Sequence, residues 1–130
     1  MPKSVYLRAN VLNCAFRGIP YTAPAAVYTA LFTASPSDVS PGMEVSGGSY
    51  ARQLTAFSAP SAPSGSSVSN TADIVFPVAS VAWGTVVAFG VFDAPVAGNL
   101  LCYGALTAPR SIDVNDSERF PSGQLLIQEQ

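Results

Sequence analysis

The hydrophobic and polar residues along this chain predict mainly β-structure. From residue 27 onward, short runs of β-branched and aromatic residues alternate with turns rich in Gly and Pro. The clearest run covers residues 27–33. Residues 85–92 are apolar on both faces, which predicts a central strand that is covered on both sides. Further strands are predicted over residues 50–57, 72–78, 100–107, 111–115 and 124–128.

The segment at the N-terminus has a different pattern. Residues 5–16 carry apolar side chains at positions 5, 7, 11, 12, 15 and 16. The later positions fit a short helix, whereas Val5 and Leu7 fit a strand equally well. Gly18 and Pro20 then end whichever element forms.

Seven or eight short strands separated by frequent turns predict an all-β fold. We expect a single-domain antiparallel β-sandwich or jelly roll, because no long helical periods support alternating βαβ units. Residues 1–24 form the N-terminal segment or arm, and residues 25–130 form the β-sandwich domain. Residues 58–70 are rich in Ser, Pro and Gly, which predicts a long exposed loop, with an interdomain linker as the alternative.

The composition indicates a protein whose exterior is partly covered by other proteins. Of the 130 residues, 48% are hydrophobic and only 11% are charged, where about 25% charged is usual. A biased composition is the alternative explanation, but a soluble monomer normally keeps a well-charged surface. The six basic residues are scattered singly, so no nucleic-acid partner is expected. No apolar run is long enough to cross a membrane, so no membrane partner is expected.

The residues needed for most catalytic sites are missing, so we expect no enzyme activity. The chain has no histidine, which removes the commonest general base and the His-dependent nucleophiles. Cys14 and Cys102 lie far apart and do not have the spacing of zinc ligands. They are predicted to be two buried free thiols, with a disulfide between them as the alternative. No catalytic, cofactor-binding or metal-binding residue is therefore predicted, and no cofactor.

Three polar or aromatic features have a structural and a functional interpretation. Trp83 is predicted to cover one end of the core, with a sugar-stacking platform as the alternative. Residues 113–118 are acidic and are predicted to form a solvated turn, although they faintly resemble a calcium loop. Arg52 is expected to be held by a carboxylate or a carbonyl group, after a turn or bulge at Gly47 and Gly48.

Several short strings are similar to those of a known family. One string is long and specific: Glu44-Val45-Ser46-Gly47-Gly48-Ser49-Tyr50-Ala51-Arg52-Gln53. Weaker strings occur in order around it at residues 31–36, 68–70, 74–77, 83–86, 89–94 and 99–106. Together they resemble a family of small tailed-bacteriophage virion structural proteins, whose members are usually labelled tail fibre proteins. The resemblance covers residues 25–128.

The resemblance implies a bacteriophage virion structural protein that is made in the bacterial host cytoplasm. The chain shows no shaft, coiled coil or repeats, so we expect a capsid cement or decoration protein on the capsid surface. Its expected partners are the major capsid protein or other virion proteins. A tail fibre or baseplate component for host recognition is the first alternative, and a carbohydrate-binding β-sandwich module is the second. The resemblance also favours a homo-oligomer, in particular a trimer.

The predicted interface consists of the N-terminal segment and the long loops. The N-terminal segment is included because it offers apolar side chains beyond what the strands need. The interface residues are expected to be Tyr6, Leu7, Leu12 and Phe16. The alternative is that this segment covers the end of its own sandwich.

Overall fold

The computed structural model describes residues 3–60 and 67–128. Within these ranges the chain forms one helix, followed by nine strands. The elements are α1 (Val5–Arg17), β1 (Val27–Ala34), β2 (Met43–Glu44), β3 (Gln53–Thr55), β4 (Ser67–Ser69), β5 (Ile74–Val75), β6 (Gly84–Phe92), β7 (Leu100–Ile112), β8 (Arg119–Phe120) and β9 (Leu126–Gln128).

The largest sheet is antiparallel and has the strand order β2-β1-β6-β7. Strand β3 also pairs with β1, at the opposite end of β1 from β2. Strand β6 lies between β1 and β7, which confirms the prediction of a central strand. Its β-branched and aromatic residues suit this position because both of its faces are covered.

Two smaller antiparallel pairs, β4 with β9 and β5 with β8, lie against one face of this sheet. The main core forms between the large sheet and these two pairs. It consists of Leu31, Val45, Ile74, Phe76, Ala79, Trp83, Val86, Ile112 and Leu125. The prediction of a small, predominantly antiparallel all-β fold with a short N-terminal helical segment is therefore confirmed.

A second core lies on the other face of the sheet. Ala30, Phe32 and Ala88 are buried there, and the ring of Phe92 stacks on that of Phe32 at a centroid distance of 6.1 Å. A Cβ atom at Gly90 would lie 2.8 Å from Phe32 Cε1. Glycine is needed at this position because the neighbouring side chains occupy the space.

Several predicted strands are shorter in the structure. Of residues 50–57 only β3 is extended, because Tyr50 closes a turn in which its N–H bonds to the Gly47 and Gly48 carbonyls. Of residues 72–78 only β5 pairs, and this strand ends before Pro77, which has no N–H to donate.

The end of β7 differs most from the prediction. The strand continues through Pro109 to Ile112, so residues 111–115 do not form a separate strand. Ala88 pairs with Ala105 and Val86 pairs with Arg110, so β7 bulges between them. This bulge places Pro109 where no ladder hydrogen bond is required. The short strand β8 was not predicted.

The ends of the predicted loop over residues 58–70 are held close together. The Ser58 N–H donates to the Ser69 carbonyl at 2.8 Å, and β4 pairs with β9. Residues 61–66 of that prediction lie outside the described residues.

Trp83 belongs to the main core and is only 5% exposed. Its ring meets Tyr50 edge-to-face at 5.4 Å. A sugar-stacking role is wrong, because a platform must present an open ring face to the solvent.

The cysteine prediction holds for one residue of the two. Cys102 is buried, and burial raises the pKa of its thiol to about 12. Cys14 is exposed on α1, so the prediction that it is buried was wrong. Both thiols are free in the structure.

The acidic turn is solvated as predicted, except at its last residue. The Asp113 N–H donates to Asp116 Oδ2 at 3.0 Å, and both residues are exposed. Glu118 is buried instead, with an Arg110 Nη1 to Glu118 Oε1 distance of 3.3 Å. Its carboxylate is placed by tertiary contacts that the local sequence does not show.

Candidate assembly surface

Helix α1 is closed at both ends by local hydrogen bonds. The Ser4 hydroxyl accepts the Leu7 N–H at 3.1 Å, which is a typical N-cap. Gly18 adopts a left-handed conformation, with φ of 67°, and the Ile19 N–H donates to the Asn13 carbonyl at 3.1 Å. These caps explain why a helix forms here although Val5 also fits a strand.

The first turn of α1 is attached to the edge of the main sheet. The Ser4 N–H donates to the Leu101 carbonyl at 2.8 Å, and the Ser4 hydroxyl donates to the Leu100 carbonyl. Leu7 packs against the cluster that includes Leu101. An ion pair between Arg8 Nη2 and Asp38 Oδ1, at 2.7 Å, adds a contact on the surface. The hydrogen bond to Asp38 raises the pKa of Arg8.

Four apolar residues form a stripe along the other side of this helix. Val5, Ala9, Leu12 and Phe16 follow each other at intervals of four, three and four residues, so they share one face. All four are exposed: Val5 by 51%, Leu12 by 57% and Phe16 by 80% of their surface. We call these four residues the α1 stripe.

The amphipathic character of α1 is the reverse of that in an ordinary surface helix. No residue of α1 is buried, and the polar side chains of Asn10 and Asn13 are more covered than the stripe. A surface helix normally turns its apolar stripe toward the core. A contiguous exposed apolar face of this kind is typical of a protein–protein contact.

The four predicted interface residues have different surroundings. Leu12 and Phe16 belong to the α1 stripe, whereas Leu7 packs on its own β-domain. Tyr6 contacts Tyr21 edge-to-face at a centroid distance of 6.5 Å. The other two members of the stripe, Val5 and Ala9, were not predicted, although the spacing of residues 5, 9, 12 and 16 already contains the signal.

A second candidate site is a cleft of about 360 Å³ beside Arg52. Arg52 Nε lies 2.8 Å from Glu44 Oε2, and Arg52 Nη2 lies 2.8 Å from Glu44 Oε1. Arg52 Nη1 donates to the carbonyls of Ala94, at 3.0 Å, and Ala97, at 2.6 Å. The guanidinium carbon lies 3.6 Å from the ring centroid of Phe92. Arg52 is thus held by a carboxylate and by carbonyl groups, as predicted.

The polar groups of this cleft satisfy one another. The Tyr50 hydroxyl donates to Glu44 Oε2 at 2.7 Å and accepts the Leu31 N–H at 3.1 Å. Burial, together with the hydrogen bond to Glu44, raises the pKa of Tyr50, so the hydroxyl stays neutral at physiological pH. These contacts connect β2 to the loop after β6, and their role is to stabilise the fold.

Neither a metal site nor a membrane-spanning helix occurs among the described residues. Over residues 3–60 and 67–128, no group of three or more His, Cys, Asp or Glu residues is placed to hold a metal ion. The helix within these ranges is too short to cross a membrane.

Comparison with known proteins assigns the chain to a family. A family model described as Podophage GP4 fiber I protein gp80 matches residues 2–128. The chain belongs to this family. A comparison with curated proteins gives no match. The family confirms the resemblance to phage virion proteins, and the chain is therefore a phage virion structural protein. A fibre family also favours the tail fibre alternative over the capsid cement protein that was ranked first.

Proposed function

We propose that this protein is a structural component of a phage tail fibre and that it joins the fibre through the α1 stripe. The fibre assignment is supported by the family that matches residues 2–128. The observation that carries the role in assembly is the exposed apolar face of a helix without a single buried residue.

The unfavourable exposure of the apolar α1 stripe to water supports an assembly role. Complete burial of a large aliphatic or aromatic side chain contributes about 1.5–3 kcal/mol. The largest member of the stripe, Phe16, is 80% exposed, so most of that contribution is not realised within one chain. A helix of 13 residues is also marginal on its own in water. A protein partner that covers the stripe would supply both the missing burial and the missing helix stability.

The protein acts by binding and has no catalytic activity in this proposal. The chain contains no histidine, and the charged groups of the Arg52 cleft are occupied by one another. The expected partners are other proteins of the virion. No cofactor, nucleic acid or membrane takes part in the proposed role.

The location is tested by electron microscopy of virions labelled with an antibody against this chain. Label on the tail is expected, and label on the capsid surface would contradict the fibre role in favour of a cement protein.

The role of the stripe is tested with phage that carry Leu12→Glu. A glutamate here should prevent burial of the stripe, so the protein should be lost from purified virions. Val114→Glu is the matched control, because Val114 is 52% exposed in a turn far along the chain from α1. Normal incorporation of both variants would show that assembly uses another surface.

A further inference from the structure

We propose that a cavity beneath the first turn of α1 is a binding site for a small, uncharged, apolar molecule of the size of one six-membered ring. This inference goes beyond the proposed function, because no residue of the α1 stripe lines the cavity.

The cavity lies where α1, the large sheet and β9 meet, and its volume is about 170 Å³. Six apolar side chains line it, those of Leu7, Val27, Phe57, Val91, Leu101 and Ile127. Val91 and Leu101 are buried and form its floor, whereas the other four are only partly buried. A molecule in solution can therefore reach the floor without unfolding the β-domain.

The side chains on this part of the sheet are too small to fill the space. Lys3 lies opposite Cys102, and Cys102 lies opposite Val91 of β6, so the three side chains share one face of the sheet. Cysteine and valine are short, and one aromatic ring, that of Phe57, packs against this cluster. Several rings fill the main core instead, including that of Trp83.

The walls favour an apolar molecule over water. A buried water needs about two to four polar partners, and the polar side chains that line the cavity are those of Lys3 and Cys102. The Cys102 thiol is a weak hydrogen-bond donor, and it stays uncharged because burial raises its pKa to about 12. The Thr29 hydroxyl, opposite Val91 in β1, is already bonded to the Thr55 hydroxyl at 2.8 Å.

The same walls favour an uncharged molecule over an anion. Lys3 is the cation of the cavity, and it already takes part in an interaction within the chain. A carboxylate that entered would lose its hydration beside a wall of aliphatic groups, which is costly. An apolar molecule loses no hydrogen bond and gains dispersion contacts with the walls.

The volume of the cavity sets the size of the molecule. An apolar cavity of about 150 Å³ takes up benzene from water. The cavity beneath α1, at about 170 Å³, has room for the same ring and little more.

Leu7 couples the cavity to α1. This residue lines the cavity and also packs α1 against the β-domain. A bound molecule that contacts Leu7 therefore stabilises the attached position of the helix, since it binds that position better than a detached one.

Titration of the full chain with benzene tests the site by nuclear magnetic resonance. Binding should saturate with a Kd on the order of 1 mM. Nuclear Overhauser effects should connect the benzene protons with the methyl groups of Val91 and Leu101. Effects confined to the methyl groups of Val5 and Leu12 would overturn the inference, because they would assign binding to the exposed α1 stripe. Absence of saturation would overturn it as well.

Variants that fill the cavity test its position. Benzene at 10 mM should raise the midpoint of thermal unfolding of the wild-type chain by about 3–6 °C. Cys102→Leu and Val27→Phe each add volume to a lining residue, so both should lose most of this rise. Val78→Phe is the matched control, because Val78 is 56% exposed and does not line the cavity, and it should keep the full rise.

Val27→Phe keeps the test decisive if Cys102→Leu fails to fold, because Val27 is only partly buried. Circular dichroism shows which variants are folded. A full rise in either folded cavity variant would overturn the inference.

Benzoate tests the chemical class of the molecule. It keeps the ring of benzene and adds a carboxylate, so it should bind at least about tenfold more weakly. Tighter binding of benzoate than of benzene would overturn the inference and assign the cavity to an organic anion held by Lys3.

Discussion

Strand β1 and helix α1 are both rich in apolar residues, but the structure uses them in opposite ways. The four consecutive residues from Thr29 to Phe32 are all buried, because β1 is paired on both edges and covered on both faces. Helix α1 has no buried residue, and its most apolar face points away from the β-domain. The side chains of β1 stabilise the monomer, whereas those of the α1 stripe stabilise the proposed assembly. Hydrophobic content alone does not distinguish these two roles.

The largest expected difference in the free energy of unfolding is between a leucine-to-alanine substitution in β1 and the same substitution in α1. Leu31→Ala should lower the free energy of unfolding by about 3 kcal/mol, because it removes a fully buried side chain from the main core. Leu12→Ala should change it by less than about 0.5 kcal/mol, because Leu12 is exposed. Urea denaturation of the two variants at micromolar concentration measures both values. Similar losses would show that α1 belongs to the core of the monomer.

Arg52→Ala should lower the free energy of unfolding by about 2–3 kcal/mol. Its side chain is only 8% exposed, and its loss leaves Glu44 without a charged partner and exposes Phe92. Arg52→Lys is the control, because it keeps the charge but cannot form the two parallel bonds to Glu44, and it should recover part of the loss. A cost below about 0.5 kcal/mol for the alanine variant would show that the β-domain does not depend on this cleft.

Gly90→Ala should cost about 1–2 kcal/mol. The new methyl group would lie 2.8 Å from both Phe32 Cε1 and Leu100 Cδ1, so the second core must shift. Thermal unfolding of this variant beside the wild-type chain measures the cost. No change in the midpoint for Gly90→Ala would mean that the second core is loosely packed.

The smallest expected effect is at the exposed ion pair of Asp73 and Arg119, whose Oδ2 and Nη2 atoms are 2.6 Å apart. The hydrogen bond from the Ser122 N–H lowers the pKa of Asp73 in the folded protein, and the hydrogen bond from Arg119 lowers it further. A lowered pKa stabilises the fold above the unfolded value of about 3.9, and this stabilisation is lost as the pH falls through the folded value. Asp73→Asn should therefore be slightly less stable at pH 7, and the difference should disappear in acid. A difference independent of pH would assign the effect to the hydrogen bonds instead.

Much of the β-architecture could be predicted from local patterns, and its details could not. The central strand β6 was predicted because an apolar run without breaks requires cover on both faces. The passage of β7 through Pro109 was not, because the bulge opposite Val86 depends on the neighbouring strand. In the cleft beside Arg52, this arginine was expected to have a hydrogen-bond acceptor. Only the fold shows that the acceptors are Glu44 and the carbonyls of the loop after β6.

By itself, the sequence determined the elements with local causes. The caps of α1, the turn at Gly47 and Gly48 and the absence of histidine chemistry depend on residue types at short range. Only the tertiary structure decided which side of α1 faces the β-domain. The sequence spacing puts Leu12 and Phe16 on one face, but burial is a property of contacts between distant segments. Ser4 and Leu7 attach the helix to β7 from the other side, and this attachment leaves the stripe in the solvent.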